Sequence, residues 1–131
     1  MNKLFIICAP VLMLCLAGVY GSGLTMQKQD PLVRIAELEI DPAQLENYKT
    51  ALKEEIETSI RVEPGVLTLY AVAEKENPSH IRIFEMYADA DAYKAHLETP
   101  HFKKYKAATQ QMVKSLKLVE TIPVMLGAKA K

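Results

Sequence analysis

VLTLYAVAEKENPSHIRIFEMY, Val66 to Tyr87, decides the fold of this chain. Val66 to Ala73 and His80 to Tyr87 are rich in β-branched and aromatic residues, and the polar run Glu74 to Ser79, with Asn77-Pro78 inside it, divides them. The stretch therefore reads as two strands of one hairpin. Both strands are apolar on two sides. In the downstream one, Ile81 and Ile83 share a face with Glu85 and Tyr87, while Phe84 and Met86 point the other way. In the upstream one, Leu67, Leu69, Ala71 and Ala73 alternate with Val66, Tyr70 and Val72.

Working outward, Leu32 to Ile40 is a further β-branched run that stops at Asp41-Pro42. Asp41 suits a helix N-cap, Pro42 the first helical position, and Gln44 completes a capping-box-like pattern. Leu45, Tyr48, Leu52, Ile56 and Ile60 then recur at spacings of three and four, with Glu46, Lys49, Lys53, Glu54 and Glu57 elsewhere around the helix. Glu63-Pro64-Gly65 ends it. Beyond the hairpin, Asp89 caps a short helix running to about Leu97, and Thr99-Pro100 caps a second in which Phe102, Tyr105, Thr109, Met112, Val113 and Leu116 follow helical spacing. A last strand is expected over Lys117 to Leu126, with Pro123 placing its end at an edge. The order β-α-β-β-α-α-β is that of an α+β fold of the ferredoxin-like split βαβ plan, an antiparallel four-stranded sheet with helices on one face. Helices can cover only one of two apolar faces, so the other should pack against a second copy or form the wall of a cavity, and a homodimer, sheet against sheet, is expected.

The 131 residues suffice for one domain, and 16 basic residues balance 16 acidic ones. No Lys/Arg run exceeds Lys103-Lys104, so the electrostatic footprint of a nucleic-acid binder is missing and a protein or a small molecule is the better partner. The N-terminus differs from the rest: Lys3 precedes the apolar run Leu4 to Gly18 and the small, polar Gly21-Ser22-Gly23, which is the pattern of a cleaved signal peptide over residues 1–23. Cleavage after Gly21 or Gly23 fits equally. Export to the periplasm or the exterior follows, with an uncleaved membrane anchor as the alternative and membrane contact only through this segment. Residues 24–31 read as a tether, 32–126 as the domain and 127–131 as a C-terminal tail. Cys8 and Cys15 both fall in the leader, so the processed domain would contain neither a disulfide nor a cysteine ligand.

The candidate chemistry centres on AHLETPHFKKY, Ala95 to Tyr105, which holds His96 and His101 on either side of Thr99-Pro100. Five residues and a helix break separate them, unlike the four-residue spacing of a helical metal pair, and Asp89, Asp91 and Glu98 show no ligand spacing, so no metal is expected. Either histidine could instead accept a proton from a weakly acidic phenol or enol. His96 lies at the margin of a buried stripe. His101 lies in the first turn of its helix, where the dipole favours the neutral ring. Glu85 sits mid-strand, where a carboxylate is costly to bury unpaired, and Arg34 is its better ion-pair partner because Arg82 points to the opposite face.

Glu63-Pro64-Gly65-Val66-Leu67, Phe84-Glu85-Met86-Tyr87-Ala88-Asp89-Ala90-Asp91-Ala92 and His96-Leu97-Glu98-Thr99-Pro100-His101-Phe102 together resemble the antibiotic biosynthesis monooxygenase (ABM) domain family, in its quinol monooxygenase-like branch, over about Leu32 to Val124. The resemblance implies a dimeric α/β barrel formed by two ferredoxin-like sheets. It also implies oxidation of a quinol or related aromatic by molecular oxygen without flavin, haem or metal. By position, Glu85 matches the family's strand glutamate, His96 and His101 its two histidines, and Phe102 its aromatic. Catalysis is thus expected of His96, His101 and Glu85, and substrate binding of Tyr87, Phe102, Arg34 and Tyr70. Tyr87 stands where many members carry tryptophan. Lys106 stands where haem-degrading relatives carry the axial histidine, which disfavours haem chemistry.

Overall fold

The computed structural model describes residues 30–129. The expected signal segment, and all of the tether but its last two residues, lie outside that range. Among the described residues, no helix is long and apolar enough to cross a membrane. The elements are β1 (Leu32–Ile40), a 3-10 turn (Pro42–Gln44), α1 (Leu45–Val62), β2 (Val66–Ala73), β3 (His80–Tyr87), α2 (Ala90–Glu98), α3 (Pro100–Thr109) and β4 (Val113–Glu120). The strands pair antiparallel in the order β2-β3-β1-β4, which is the ferredoxin-like plan read from the sequence. The sheet is open within one chain, with β2 and β4 as its edges.

Register decides which residues meet the helices. Arg34, Ala36 and Leu38 of β1 lie opposite Glu85, Ile83 and Ile81 of β3 and opposite Glu120, Leu118 and Leu116 of β4. From this row Ala36, Leu38, Ile81 and Ile83 join Ile40, Tyr48 and Leu52 in the main core. On the other face Tyr70 and Val72 are exposed, and Ile35, Phe84 and Met86 remain partly so. An apolar face thus stays uncovered in the single chain.

Four local readings of the sequence need correction. In β2, a bulge between Val66 and Thr68 breaks the alternation, so Val66 and Leu69 are both buried while Leu67 is 47% exposed. One extra residue shifts the facing by one, which strict period-two reading cannot anticipate. In α1 the buried stripe is Tyr48, Leu52, Glu55 and Ser59, and Ile60 is exposed. Asp41 caps the 3-10 turn by accepting from the Ala43 N–H at 3.0 Å, and the Gln44 side chain accepts from Asn47 rather than closing a capping box. Finally, α3 stops at Thr109 and β4 occupies Val113–Glu120, not Lys117 to Leu126. The free edge of β1 needs a partner along its length, and pairing from Ile40 with Val113 to Arg34 with Glu120 supplies it. The helical spacing of Met112, Val113 and Leu116 was coincidental, and Pro123 lies beyond the strand end.

Gly65 is required by a close approach. A Cβ there would lie 2.5 Å from the Ala92 Cβ, so α2 packs directly on the entry to β2, where the Ala88 N–H donates to the Gly65 carbonyl at 2.8 Å. Ala92 is too short to swing away, so the backbone must move. Gly65→Ala should lower stability by about 1–3 kcal/mol, read as a fall in the urea midpoint.

Candidate active site

The site begins with the break between α2 and α3. The Thr99 hydroxyl donates to the His96 carbonyl at 2.8 Å and accepts from the Phe102 N–H at 3.3 Å, ending one helix and capping the next. His96, in the last turn of α2, and His101, in the first turn of α3, thereby converge, with ring centroids 6.5 Å apart. Glu63, at the C-terminal end of α1, reaches both: its Oε1 lies 3.0 Å from His96 Nδ1 and 2.5 Å from His101 Nε2. Glu55, two turns earlier on α1, accepts from the Ser59 hydroxyl at 2.7 Å and lies 3.6 Å from His96 Nε2.

Electrostatics then fix the proton positions. Burial opposes ionisation of Glu63, but hydrogen bonds from His101 and His96 outweigh it and hold the carboxyl below its ordinary value. The resulting carboxylate can only accept, so both imidazoles turn an N–H toward it. In its neutral form His96 therefore carries its proton on Nδ1 and its lone pair on Nε2.

His96 lines a cavity of about 510 Å³ between the helices and the sheet. Glu55, Glu85, Tyr87, His96 and Phe102 line it, with aliphatic walls from Leu69, Ile83 and Leu118. Tyr87 and Phe102 flank the His96 ring at centroid distances of 5.4 and 4.7 Å. The Tyr87 hydroxyl donates to Glu85 Oε2 at 3.1 Å. Burial raises the Glu85 carboxyl above its ordinary value, although the Tyr87 bond and the Arg34 charge oppose it; burial likewise raises the Tyr87 hydroxyl, and the Glu85 charge adds to that rise. A tyrosine hydroxyl paired with a carboxyl thus stands beside the His96 imidazole at the cavity. That set can take a proton from a bound phenol and steady the oxygen left behind.

Of the residues singled out in the sequence, His96, Glu85, Tyr87 and Phe102 meet at this cavity. His101 does not line it and is linked to His96 through Glu63. Arg34 stands behind the wall: its guanidinium lies 4.3 Å from the Tyr93 ring centroid, and it bridges to Glu120 at 3.3 Å rather than to Glu85. Arg34 Nε is buried without a partner. Tyr70, 68% exposed, lies on the opposite side of the sheet and away from the cluster. Glu55 and Glu63 were missed. Glu55 falls three residues after Leu52 and seven after Tyr48, so a carboxylate on an otherwise apolar stripe was the available signal. Nothing local marks Glu63, whose role arises only when α1 meets the α2–α3 break.

The raised Glu85 carboxyl has a consequence for stability. A carboxyl whose folded value exceeds the unfolded one binds its proton more tightly when folded, so folding stability falls as pH rises through and above the ordinary 4.5. Glu85→Gln lacks that titration. Its stability relative to the wild type should therefore increase between acid and neutral pH, as thermal melts across that range would record.

The site is thus a histidine–carboxylate cluster beside a largely apolar cavity in a small α+β domain. The model for antibiotic biosynthesis monooxygenase matches residues 31–108, and the chain belongs to that family. Its fold is shared by the crystal structure of a candidate antibiotic biosynthesis monooxygenase from Bacteroides thetaiotaomicron, which is 56% identical, with 78% of this chain and 97% of that one aligned at a TM-score of 0.75. A candidate monooxygenase from Lactobacillus acidophilus is 33% identical over 70% of this chain and 45% of that one, with a TM-score of 0.67. A protein from Nitrosomonas europaea, 23% identical over 72% of this chain and 99% of its own, shares the fold at a TM-score of 0.68. No functionally curated protein matches the chain. The family supports a monooxygenase-like function acting on small molecules.

Proposed function

We propose that this protein is a cofactor-independent monooxygenase that oxidises a quinol or a related aromatic with molecular oxygen, using His96 as the proton acceptor. The observation that carries the reading is His96 itself: a buried imidazole that lines the cavity, with its Nδ1 held by Glu63 and its Nε2 3.6 Å from Glu55 Oε1. His96 Nε2 takes the phenolic proton, and the electron-rich anion passes an electron to oxygen. Recombination forms a carbon–oxygen bond. Cleavage of the O–O bond then leaves one oxygen atom on the ring as a hydroxyquinone and releases the other as water with the two hydroxyl hydrogens of the quinol. Glu85 and Tyr87 orient the substrate oxygen, Phe102 stacks beside the ring, and His101 acts as a positioning residue through Glu63. Oxygen uptake by chelator-treated protein with a panel of quinols tests this directly. Uptake that depends on a quinol supports it, and none with any quinol leaves a non-catalytic binder of small aromatics.

The working unit we propose is a homodimer in which two sheets meet through the face bearing Ile35, Tyr70, Phe84 and Met86. Static light scattering at micromolar concentration should give twice the chain mass, and Phe84→Glu should lower it; a wild-type monomer would sink the dimer. We also propose export with loss of the leader, so the mature protein recovered from cells should begin after Gly21 or Gly23 by intact mass. A full-length N-terminus would contradict that.

A further inference from the structure

Three of the groups around His96 are also a ligand set. Glu55, His96 and His101 each offer one ligand atom, and these lie within 4.8 Å of one another. Glu55 and His96 are buried and His101 is partly so. Sequence spacing disfavoured a metal because it compared neighbours on one helix, whereas the third ligand comes from α1, forty-one residues before His96.

Three features point the same way. The first is charge: Glu55 and Glu63 are two carboxylates side by side under cover, and among the described residues their only ion-pair partners are His96 and His101. A cation held there would give both acidic groups a positive partner in a buried setting. The second is distance. His96 Nε2 and Glu55 Oε1 are 3.6 Å apart, long for a hydrogen bond. A tetrahedral ion with bonds of about 2.0–2.1 Å holds its ligand atoms about 3.3 Å apart, so this separation is close to a ligand edge. The third is orientation. Glu63 already accepts from His96 Nδ1, which fixes the tautomer that turns Nε2 toward the ion, the arrangement by which an outer carboxylate supports a metal-bound imidazole. Two nitrogens and one carboxylate select a zinc-class ion over magnesium or calcium.

We propose that Glu55, His96 and His101 form a binding site for one zinc-class divalent cation, with Glu63, hydrogen-bonded to a ring nitrogen of each histidine, orienting both from outside the ligand shell. Binding takes the Nε2 lone pair that the proposed chemistry needs, so the ion silences the enzyme; this consequence, unlike the binding itself, rests on the function proposed above.

Titration of the full chain with cobalt(II), followed by visible absorption, and with zinc(II), followed by calorimetry, tests the site. One ion per chain with an intense ligand-field band is expected, and magnesium should not compete. Glu55→Gln and His101→Asn, each checked for folding by circular dichroism, should each weaken zinc binding about tenfold or more, and Glu63→Gln should weaken it through His96. Absence of binding overturns the proposal, as does binding that neither Glu55→Gln nor His101→Asn alters, which would place the ion elsewhere, for example on Cys8 and Cys15. Zinc should also stop quinol-dependent oxygen uptake, reversibly on chelation. Binding at these residues with uptake unchanged upholds the site and removes His96 as the base.

Discussion

His96→Ala should lower quinol-dependent oxygen uptake by about 10²–10⁴-fold, the usual contribution of a positioned general base. The effect should fall on turnover, because the cavity walls that hold the substrate come from Leu69, Ile83, Tyr87 and Phe102, which the substitution leaves in place. His101→Ala should cost less. It removes one of two N–H donors to Glu63 but leaves the His96 Nδ1 contact at 3.0 Å intact. Added imidazole should restore part of the activity of His96→Ala, since the vacated space adjoins the cavity, and should do nothing for His101→Ala. Equal losses in the two variants, without rescue, would assign the defect to the cluster's structure and not to a base at position 96.

The largest loss of stability should follow Tyr48→Ala, by about 3–5 kcal/mol, the range for truncating a fully buried aromatic. Tyr48 has no exposed surface and joins α1 to the core residues of β1 and β3. Its hydroxyl shares a 2.7 Å hydrogen bond with that of Tyr105 on α3, and burial pushes the Tyr105 hydroxyl up to about 12. Truncation thus opens a ring-sized hole and leaves the part-buried Tyr105 hydroxyl without this partner. Against a total stability of about 5–15 kcal/mol for a domain of this size, that is a large share. The urea midpoint should fall without a change in slope, and Tyr48→Phe, which keeps the ring and loses only the hydrogen bond, should cost about 1 kcal/mol.

The fold was legible because its signals are local. The β1, β2 and β3 bounds follow from β-branched runs stopped by Asp41-Pro42, Glu74 to Ser79 and Asp89, and the α2–α3 break follows from Thr99-Pro100. What was illegible depended on distant partners. Leu116 fits a helix stripe as well as a strand, and only pairing with β1 decides between them. The β2 bulge leaves no trace in composition, since Leu67 is as apolar as the buried Leu69. At the site, His96, Glu85, Tyr87 and Phe102 could be picked out because each stands at a readable position on its own element. Glu63 could not, because it matters only where the end of α1 meets two histidines that follow it by 33 and 38 residues.

Oxidation of a quinol under ¹⁸O₂ tests the central claim most directly. Chelator-treated protein should transfer one labelled atom to each molecule of product and the other to water. Conversion to an unlabelled quinone with release of hydrogen peroxide, or no conversion at all, would contradict monooxygenation at this cavity.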